Sequence, residues 1–481
     1  MAETAVPKIV PSVSAGEPID LTRPHFVGIA GTGMLPVARV CAERGFAVSG
    51  SDTKASERME ELARLDVTVH TGHAAEQVPA DVTAVVFTHA IESDNPEILA
   101  ALERGVPVVH RAAALGALMA GHMAVGVLGT HGKSSTSGML AVTLSRMGQS
   151  PSYMVGADIE GPGSGGRAGS SSLFVAEIDE SDRTLLGVGV NVAVVTNIGY
   201  DHPENYANAA EYVDVFEAFV RGMRADGAVV LNADSPGCRQ LQSRLSAGDG
   251  PRVVTFGEST EADWRLTEMA CTGRRSTALL CGPQGQEFHL ALRIPGVHQL
   301  LNAAGAMAAL AVLGQDLDLA VEELGYFDGV QRRMSSAGMM AGVRIYDSYA
   351  HHPTEITADL KAARALLTGR GRVITVFRPT GQARLDAFGS EFATALASSD
   401  AVVLTGDARS ISEASLREVS VSIGQAGGAV LAVETARERA VMCASTAARE
   451  GDVVVLMGTG DLNECGVLLR RALSDLAPTV V

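Results

Sequence analysis

The stretch Gly129-Thr130-His131-Gly132-Lys133-Ser134-Ser135 decides the fold prediction. It follows an apolar run at residues 124–128 and precedes a helical pattern at 134–147, so it predicts a tight loop between a buried strand and a helix. Glycine lets successive backbone N–H groups converge on an anion, and the helix N-terminus adds partial positive charge. Lys133 can then reach β- or γ-phosphate oxygens, and the Ser134 hydroxyl can ligate Mg²⁺. The stretch therefore predicts a nucleoside triphosphate site in an α/β domain.

The loop departs from the strict GxxxxGK[ST] pattern, because its first glycine position is Val127. The alternative interpretation is an ordinary Gly-rich turn with a solvated lysine. The chain has only 4 Lys against 34 Arg, and a lysine kept at this position in so Arg-biased a sequence favours a phosphate-binding role.

The amino-acid composition limits the classes of protein to which this chain can belong. The 481 residues are 46% apolar and 19% charged, which is enough for two to four folded domains. The formal net charge of −17 disfavours nucleic acid and anionic membranes as partners. No apolar run approaches the roughly 20 residues of a membrane span, and residues 1–24 lack the apolar core of a secretory signal. Six scattered cysteines without CxxC pairing suggest neither zinc nor disulfides, so we expect a cytoplasmic protein.

Strand–helix alternation predicts an α/β fold of three domains, with the oligomeric state left open. A loose tail at 1–22 precedes a Rossmann-like domain at 23–120. A central P-loop ATPase-type parallel sheet follows at 121–328, and a second Rossmann-like domain at 329–481. The Gly/Ser-rich segment 158–172 is predicted to be an exposed loop, and 252–293 to be rich in strands.

Two predicted strand ends in the central domain carry metal-binding chemistry, since ligands collect at the carboxyl ends of parallel strands. Glu177 begins an acidic run at 177–182, and its carboxylate could bind the Mg²⁺ that bridges nucleotide phosphates. His202 follows the next strand and could ligate the metal or contact a phosphate. The alternative is a solvated acidic turn with a capping histidine.

A second glycine loop lies between strand and helix near the N-terminus, at residues 28–33, and includes Gly31, Thr32 and Gly33. Asp52 closes the following strand about 20 residues on. This spacing suits a diphosphate on the helix N-terminus and a carboxylate on a ribose, in a dinucleotide dehydrogenase or a UDP-sugar binder. A purely structural tight turn is the remaining alternative.

When these residues are taken together with further motifs along the sequence, the chain resembles the Mur ligase superfamily, and within it the alanine-adding branch. The motifs that carry the resemblance are GTHGKSS (129–135), VAEIDESD (175–182), VTNIGYDH (195–202), IPGVHQLLNAAGA (294–306), GVQRR (329–333), DSYAHHPTE (347–355) and MGTGDL (457–462). The resemblance implies a UDP-sugar-binding first domain, a central ATP-binding domain, and a C-terminal domain that closes on ATP and substrate.

The resemblance also implies roles for individual residues. It assigns Lys133 and Ser134 to the ATP phosphates and Mg²⁺, and Glu177 and His202 to further metal positions. Four more matching positions are Asn302 at the adenine, Asp347 at the ribose, Arg332 or Arg333 at the nucleotide, and His351 facing substrate.

The implied activity is ATP-dependent joining of UDP-N-acetylmuramate to L-alanine, through an acyl phosphate, for peptidoglycan precursor synthesis. The chain departs from the family at Ala30 in the first glycine loop, at Gln299, and at Thr380. Arg384 keeps an arginine that holds anionic substrate groups in the family, but Asp386 replaces a second one. Alternatives are therefore a paralogous ligase for another acid and amine, an NAD-linked oxidoreductase, and a catalytically inactive scaffold.

Overall fold

The computed structural model describes residues 18–245, 250–406 and 411–476, so residues 1–17 of the predicted tail lie outside it. The chain divides into two compact units, which are described separately. Unit 1 runs to Asp201 and adds Ala209–Phe256 and Gly305–Glu323. Unit 2 contains His202–Asn208, Gly257–Ala304 and the chain from Leu324 onward.

The first sheet of unit 1 has five parallel strands in the order β3-β2-β1-β4-β5. Strands β1, β4 and β5 are buried along their whole length, as expected where helices cover both faces of a sheet. The strands are β1 Pro24–Val27, β2 Ser49–Asp52, β3 Thr68–Thr71, β4 Ala84–Phe87 and β5 Val108–His110. The helices are α1 Leu35–Glu43, α2 Glu57–Ala63, α3 Pro96–Glu103 and α4 Arg111–Met119.

The second sheet of unit 1 surrounds β6, the strand that enters the loop at 129–135. Its strands are β6 Met123–Leu128, β7 Ser152–Met154, β8 Gly166–Arg167, β9 Leu173–Glu177, β10 Val192–Val195, β11 Ala228–Asn232 and β12 Arg252–Gly257. They lie in the order β12-β11-β10-β6-β9-β7-β8, and only β7 and β8 pair antiparallel. The helices are α5 Lys133–Arg146, α6 Ala209–Arg221 and α7 Pro236–Leu245. The carboxyl ends of β6, β9 and β10 therefore share one edge, which positions the loop beside Glu177.

Unit 2 begins with three antiparallel strands, β13 Trp264–Thr272, β14 Arg275–Cys281 and β15 Glu287–Leu292. Buried and more exposed residues alternate along β14 and β15, the pattern of a sheet with one solvated face. Two helices follow in the chain, α8 Val297–Val312, of which the residues up to Ala304 belong to unit 2, and α9 Leu317–Leu324, which belongs to unit 1 up to Glu323.

The second sheet of unit 2 has six strands in the order β16-β17-β21-β18-β19-β20, with only β16 antiparallel. They are β16 Arg333–Met340, β17 Val343–Ser348, β18 Val373–Arg378, β19 Ala401–Thr405, β20 Val430–Glu434 and β21 Val453–Gly458. The helices are α10 Pro353–Ala365, α11 Gln382–Leu396, α12 Glu413–Gln425, α13 Arg437–Ala447 and α14 Cys465–Leu476. Two apolar clusters, one on each face, form the core.

The α/β class with parallel sheets is confirmed, but one local prediction is wrong. The segment 158–172 is not an exposed loop throughout, since Ile159 and Ser164 are buried and β8 forms within it. A Cβ on Gly166 would lie 2.7 Å from the Pro36 carbonyl oxygen. The glycine therefore serves close packing of two backbones rather than solvation. In the described ranges, none of the helices combines the length and apolarity needed to cross a bilayer.

Candidate functional site

The loop at 129–135 is fixed to the end of β10. Gly129 has φ +123°, and a Cβ there would lie 2.3 Å from Thr196 Oγ1, so the position requires glycine. Asn197 braces the loop: its carbonyl accepts from Thr130 N at 3.0 Å, and its side chain both accepts from His131 N and donates to His131 O. The loop is thus held in a defined shape before any ligand arrives.

Helix α5 begins within the stretch 129–135, at Lys133. Gly132 is its N-cap with φ +86° and provides no capping side chain. Ser134 and Ser135 are buried in the first turn. Such an N-terminus directs backbone N–H groups and the positive end of the helix dipole toward the loop. The predicted strand–loop–helix unit is therefore present, and its binding of phosphate stays a prediction.

Lys133 lies among carboxylates of the segment after β9. Its ammonium donates to Glu180 Oε1 at 2.9 Å and to the carbonyls of Gly129 and Thr130 at 2.7 and 3.2 Å. Burial alone would lower the pKa of Lys133, but Glu180, Glu177 and Asp179 outweigh it and raise the pKa above its usual value. Burial raises the pKa of Glu180 to about 7, against the opposing effect of Lys133. Lys133 therefore stays cationic.

Glu177 ends β9 and is half-buried. Its Oε2 accepts from Gly156 N at 2.7 Å, which fixes the carboxylate plane. Among the described residues no hydrogen bond to Oε1 is found, so this oxygen is available as a ligand. The Ser134 hydroxyl and the Glu177 carboxylate are the hard oxygen donors that Mg²⁺ prefers. The residues of this site therefore fit the predicted metal.

Gly156→Ala is expected to disturb Glu177 without unfolding the chain. An added Cβ would lie 2.8 and 2.9 Å from the two Glu177 carboxylate oxygens, so the carboxylate must move aside. We expect the Mg²⁺ concentration for half-maximal activity to rise several-fold, while the melting temperature changes by less than about 3 °C. A metal titration of activity beside a thermal melt checks this result. An unchanged titration would show that the Glu177 carboxylate does not bind the metal.

His202, the second predicted metal ligand, belongs to unit 2. It has φ +56°, and its Nδ1 lies 3.0 Å from Glu204 Oε1 and 3.4 Å from Arg384 Nη2. Its carbonyl accepts from the N–H groups of Asn205 and Tyr206. The metal role of His202 stays a prediction.

The N-terminal glycine loop lies at the carboxyl end of β1. Gly28 has φ +79°, and Asp52 Oδ2 accepts from Ala30 N at 3.0 Å. Asp52 therefore braces the loop in which Gly31 and Thr32 are exposed and Gly33 is half-buried. Asp52 contacts the backbone N–H of Ala30, and the Ala30 carbonyl accepts from Arg58 Nη1, so alanine at this position of the family pattern leaves both contacts intact.

Arg111 is a residue that sequence reasoning missed. It is the first residue of α4, and its guanidinium lies 3.0 to 3.2 Å from where a Cβ on Gly33 would be. Its Nη2 also lies 3.1 Å from Asp179 Oδ2. A cation is thus placed beside the glycine loop. Its position directly after β5, at the carboxyl end of a parallel strand, is the signal that could have found it.

His89, His110 and Asp182 form a second unpredicted cluster, with ligand atoms within 4.8 Å of one another. His110 Nδ1 accepts from Ala112 N, so in the neutral ring the proton is on Nε2, which lies 3.5 Å from Asp182 Oδ2. Burial lowers the pKa of His110 to about 4. The Asp182 carboxylate raises the pKa of His89 by hydrogen bonding. A protonated Nε2 suits an anionic partner such as Asp182 better than a metal.

Unit 2 brings several predicted ATP-binding residues together. Arg332 has φ +62° and lies with Nε 3.6 Å from Asp347 Oδ2, while its Nη2 donates to the Gly458 carbonyl. Its guanidinium stacks 4.7 Å from the centre of the Tyr349 ring. The Tyr349 ring in turn meets His351 edge-on at 5.1 Å. Burial raises the pKa of Asp347 to about 6, although Arg332 opposes the rise.

Asn302 is buried on α8, where its amide donates to Gln299 Oε1 at 3.1 Å. Gln299 in turn contacts His298 Nε2 at 3.1 Å. The departure at Gln299 therefore keeps a side-chain amide at this position, within hydrogen-bond distance of Asn302. The predicted adenine contact of Asn302 stays a prediction.

Helix α11 contains one arginine that the family pattern keeps, Arg384, and one position that departs from it, Asp386. Arg384 is buried and contacts His202, whereas Asp386 is exposed and accepts from Gln382 Nε2 at 2.7 Å. The exposed Asp386 carboxylate is hydrogen-bonded within its own helix. The position at which the charge is reversed therefore has different surroundings from the buried Arg384, the arginine that the family pattern keeps.

Asp359 on α10 gives a pH-dependent stability. Burial raises its pKa to about 7, helped by Glu355 and opposed by Arg333 and by the Ser348 hydroxyl that donates to it. Because the folded pKa exceeds the unfolded value, the folded chain binds more protons between about pH 4 and 7. This contribution to stability is full below about pH 4 and is lost as pH rises through 7.

We therefore expect Asp359→Asn to stabilise the chain at pH 8 relative to pH 5, by roughly 2 kcal/mol in the free energy of unfolding. Asparagine keeps an acceptor for Ser348 and removes the buried charge. Denaturant unfolding at both pH values checks the difference. His298 Nε2 lies 3.7 Å from Asp359 Oδ1, but burial lowers the pKa of His298 to about 4, so its ring is mainly neutral at both pH values in the folded chain. An equal effect of the substitution at both pH values would contradict the assignment.

A cavity of about 740 Å³ in unit 2 includes none of the predicted site residues. It is lined by apolar and hydroxyl side chains, mostly of α8, α10 and α11, with His298, Lys361 and Glu391 as the basic or acidic residues among them. The size of this cavity therefore does not identify the loop at 129–135 as a site.

The loop and the neighbouring strand ends define the class: an α/β protein with a glycine-rich loop between a buried parallel strand and a helix. Residues 23–123 match the Mur ligase family catalytic domain, 127–310 the Mur ligase middle domain, and 332–460 the Mur ligase glutamate ligase domain. The chain belongs to the Mur ligase family, and the resemblance inferred from its motifs is confirmed.

Relatives and solved structures agree with this family. The chain is 41% identical to the UDP-N-acetylmuramate–L-alanine ligase of Streptomyces avermitilis over 466 residues, covering 96% of this chain and all of that protein. The Streptomyces coelicolor protein of the same name is also 41% identical, with the same coverage. The crystal structure of the Thermotoga maritima UDP-N-acetylmuramate–alanine ligase has a TM-score of 0.79 and 28% identity, covering 94% of this chain and 99% of that one.

Proposed function

We propose that this chain is an ATP-dependent ligase that joins the carboxylate of UDP-N-acetylmuramate to the amine of L-alanine in peptidoglycan precursor synthesis. The observation that carries the proposal is the preformed loop that holds Lys133 beside acidic strand ends, in a chain alike over nearly its whole length to ligases of that name. Since the reaction consumes ATP, we place it in the cytoplasm.

The chemistry follows from charge. A carboxylate is a poor electrophile, so its oxygen first attacks the γ-phosphorus of ATP, and ADP leaves. The alanine nitrogen then attacks the acyl carbon, phosphate leaves, and the nitrogen loses a proton. The chain positions the reactants and screens charge, which is how phosphoryl transfer is generally catalysed.

Each part of the site has a role in this scheme. Lys133 and Arg332 neutralise phosphate charge, while Asn302 and Asp347 bind the adenosine. Ser134 and Glu177 would hold Mg²⁺, with His202 as a further ligand. When bound, Mg²⁺ supplies charge screening across the transferred phosphate.

The acid substrate is assigned to the N-terminal glycine loop. Gly31, Thr32 and Gly33 with the cation of Arg111 provide N–H groups and charge for a diphosphate. Asp52 shapes this loop through Ala30. His351 and Arg384 complete the substrate contacts in unit 2.

A paralogous ligase with another acid or amine is the second candidate, favoured by Thr380 and Asp386. ADP release with UDP-N-acetylmuramate and each single amino acid separates the two. We expect turnover with L-alanine to exceed that with other amino acids. Turnover that prefers a different amino acid would establish the second candidate. No ADP release with any amino acid would refute the first.

A further inference from the structure

The Lys133 ammonium donates all three of its protons to the protein itself. An ammonium has three N–H donors, and here the acceptors are the Gly129 carbonyl, the Thr130 carbonyl and Glu180 Oε1 at 2.7, 3.2 and 2.9 Å. For Lys133 to bind a phosphate, at least one of these bonds must break. The two carbonyls belong to the lysine's own loop and move with it. Glu180 comes from the segment after β9, so it is the partner that a phosphate would replace.

The Glu180 carboxylate is buried and forms its ion pair with Lys133 away from water. Its side chain is 1% exposed, and the Tyr212 hydroxyl on α6 donates to the same Oε1 at 3.2 Å. Tyr212 is itself fully buried. When the ammonium leaves, the tyrosine hydroxyl still satisfies the carboxylate oxygen that the lysine contacted. Removing one charge of a buried ion pair is costly unless another donor remains.

We propose that Glu180 is a positioning residue that holds the Lys133 ammonium in a resting position on its own loop. When ATP binds, its phosphates replace Glu180 as a partner of Lys133, and Tyr212 stabilises the Glu180 carboxylate that loses the lysine. This inference rests on the proposed function, since it assumes that nucleotide phosphates bind at the loop. Glu180 then competes with the nucleotide for the lysine, and its negative charge repels incoming phosphates.

The proposal predicts opposite effects for two nearly isosteric variants. Glu180→Gln removes the competing charge, so affinity for ADP should increase by about fivefold or more. Tyr212→Phe removes the donor that stays on the carboxylate, so releasing Lys133 costs more and ADP affinity should fall several-fold. In the double variant the Tyr212→Phe effect should largely disappear, because the carboxylate it acts through is absent.

Calorimetric titration of the full-length chain with ADP, and with AMP as a second probe, tests these signs. AMP lacks the β-phosphate that Lys133 would contact, so its affinity should change by less than about twofold in Glu180→Gln. Asp182→Asn provides a matched control: it removes a carboxylate two residues along the same segment that contacts His89 and His110. We expect it to leave ADP affinity within about twofold.

The outcomes separate this inference from the proposed function. Wild-type chain that binds neither ADP nor ATP would overturn both. Wild-type binding with unchanged or weaker ADP affinity in folded Glu180→Gln would overturn the inference alone. Equal tightening of AMP and ADP would also overturn it, because the effect would not arise at the terminal phosphate. If Glu180→Gln fails to fold, an unchanged ADP affinity in Tyr212→Phe overturns the inference.

Discussion

Lys133→Ala is expected to reduce ADP release by about a thousandfold or more, because a cation positioned at the transferred phosphate supplies stabilisation of this order. The change also leaves the buried Glu180 carboxylate without the lysine's charge, so the free energy of unfolding falls by about 3 kcal/mol. Steady-state ADP release and denaturant unfolding measure the two effects separately.

Two further variants make this result specific. Lys133→Ala with Glu180→Gln removes both charges, so stability should return while activity stays lost. Lys361→Ala removes an exposed lysine of α10 that has no role in the proposed chemistry, and its activity should stay within about twofold of wild type. An active double variant would show that the ammonium is not needed.

Glu177→Gln is expected to have the second largest effect, a loss of about a hundredfold in turnover at fixed Mg²⁺. Glutamine keeps an acceptor for the Gly156 N–H and loses the charge that a hard cation requires. We expect the half-maximal Mg²⁺ concentration to rise at least about tenfold. Activity measured across a Mg²⁺ series gives both values.

Glu160→Gln makes the same substitution at a half-buried glutamate in the segment 158–172, and the Mg²⁺ series should stay close to that of wild type. The assignment of Glu177 fails if its variant and this control respond to Mg²⁺ alike.

Several buried strands could be predicted from sequence to within one or two residues, but the fully buried strand β11 was not predicted. The apolar runs at 124–128, 401–405 and 453–457 predict β6, β19 and β21 to within one residue, because both faces of a parallel strand are buried. The strands β3 and β16 were missed. They lie at sheet edges with many partly exposed side chains, and β16 also contains two register shifts. Edge strands lack the apolar run that reveals a central strand.

Sequence predicts candidate site residues most directly where their chemistry is local along the chain. The GKS sequence of the loop identified Lys133 and Ser134, since strand, loop and helix are consecutive. Glu180, which contacts Lys133, lies 47 residues along the chain from it, and Tyr212, which contacts Glu180, lies a further 32 residues along. Arg111 reaches Asp179 across 68 residues. Single-sequence patterns carry no signal for such pairings.

Transfer of oxygen from acid to phosphate tests the central claim most directly. If ATP activates the carboxylate of UDP-N-acetylmuramate, then ¹⁸O placed in that carboxylate must appear in the released inorganic phosphate. With L-alanine as the amine, we predict one labelled oxygen in each phosphate formed, as measured by mass spectrometry. Amide formation that releases only unlabelled phosphate would contradict the acyl-phosphate account.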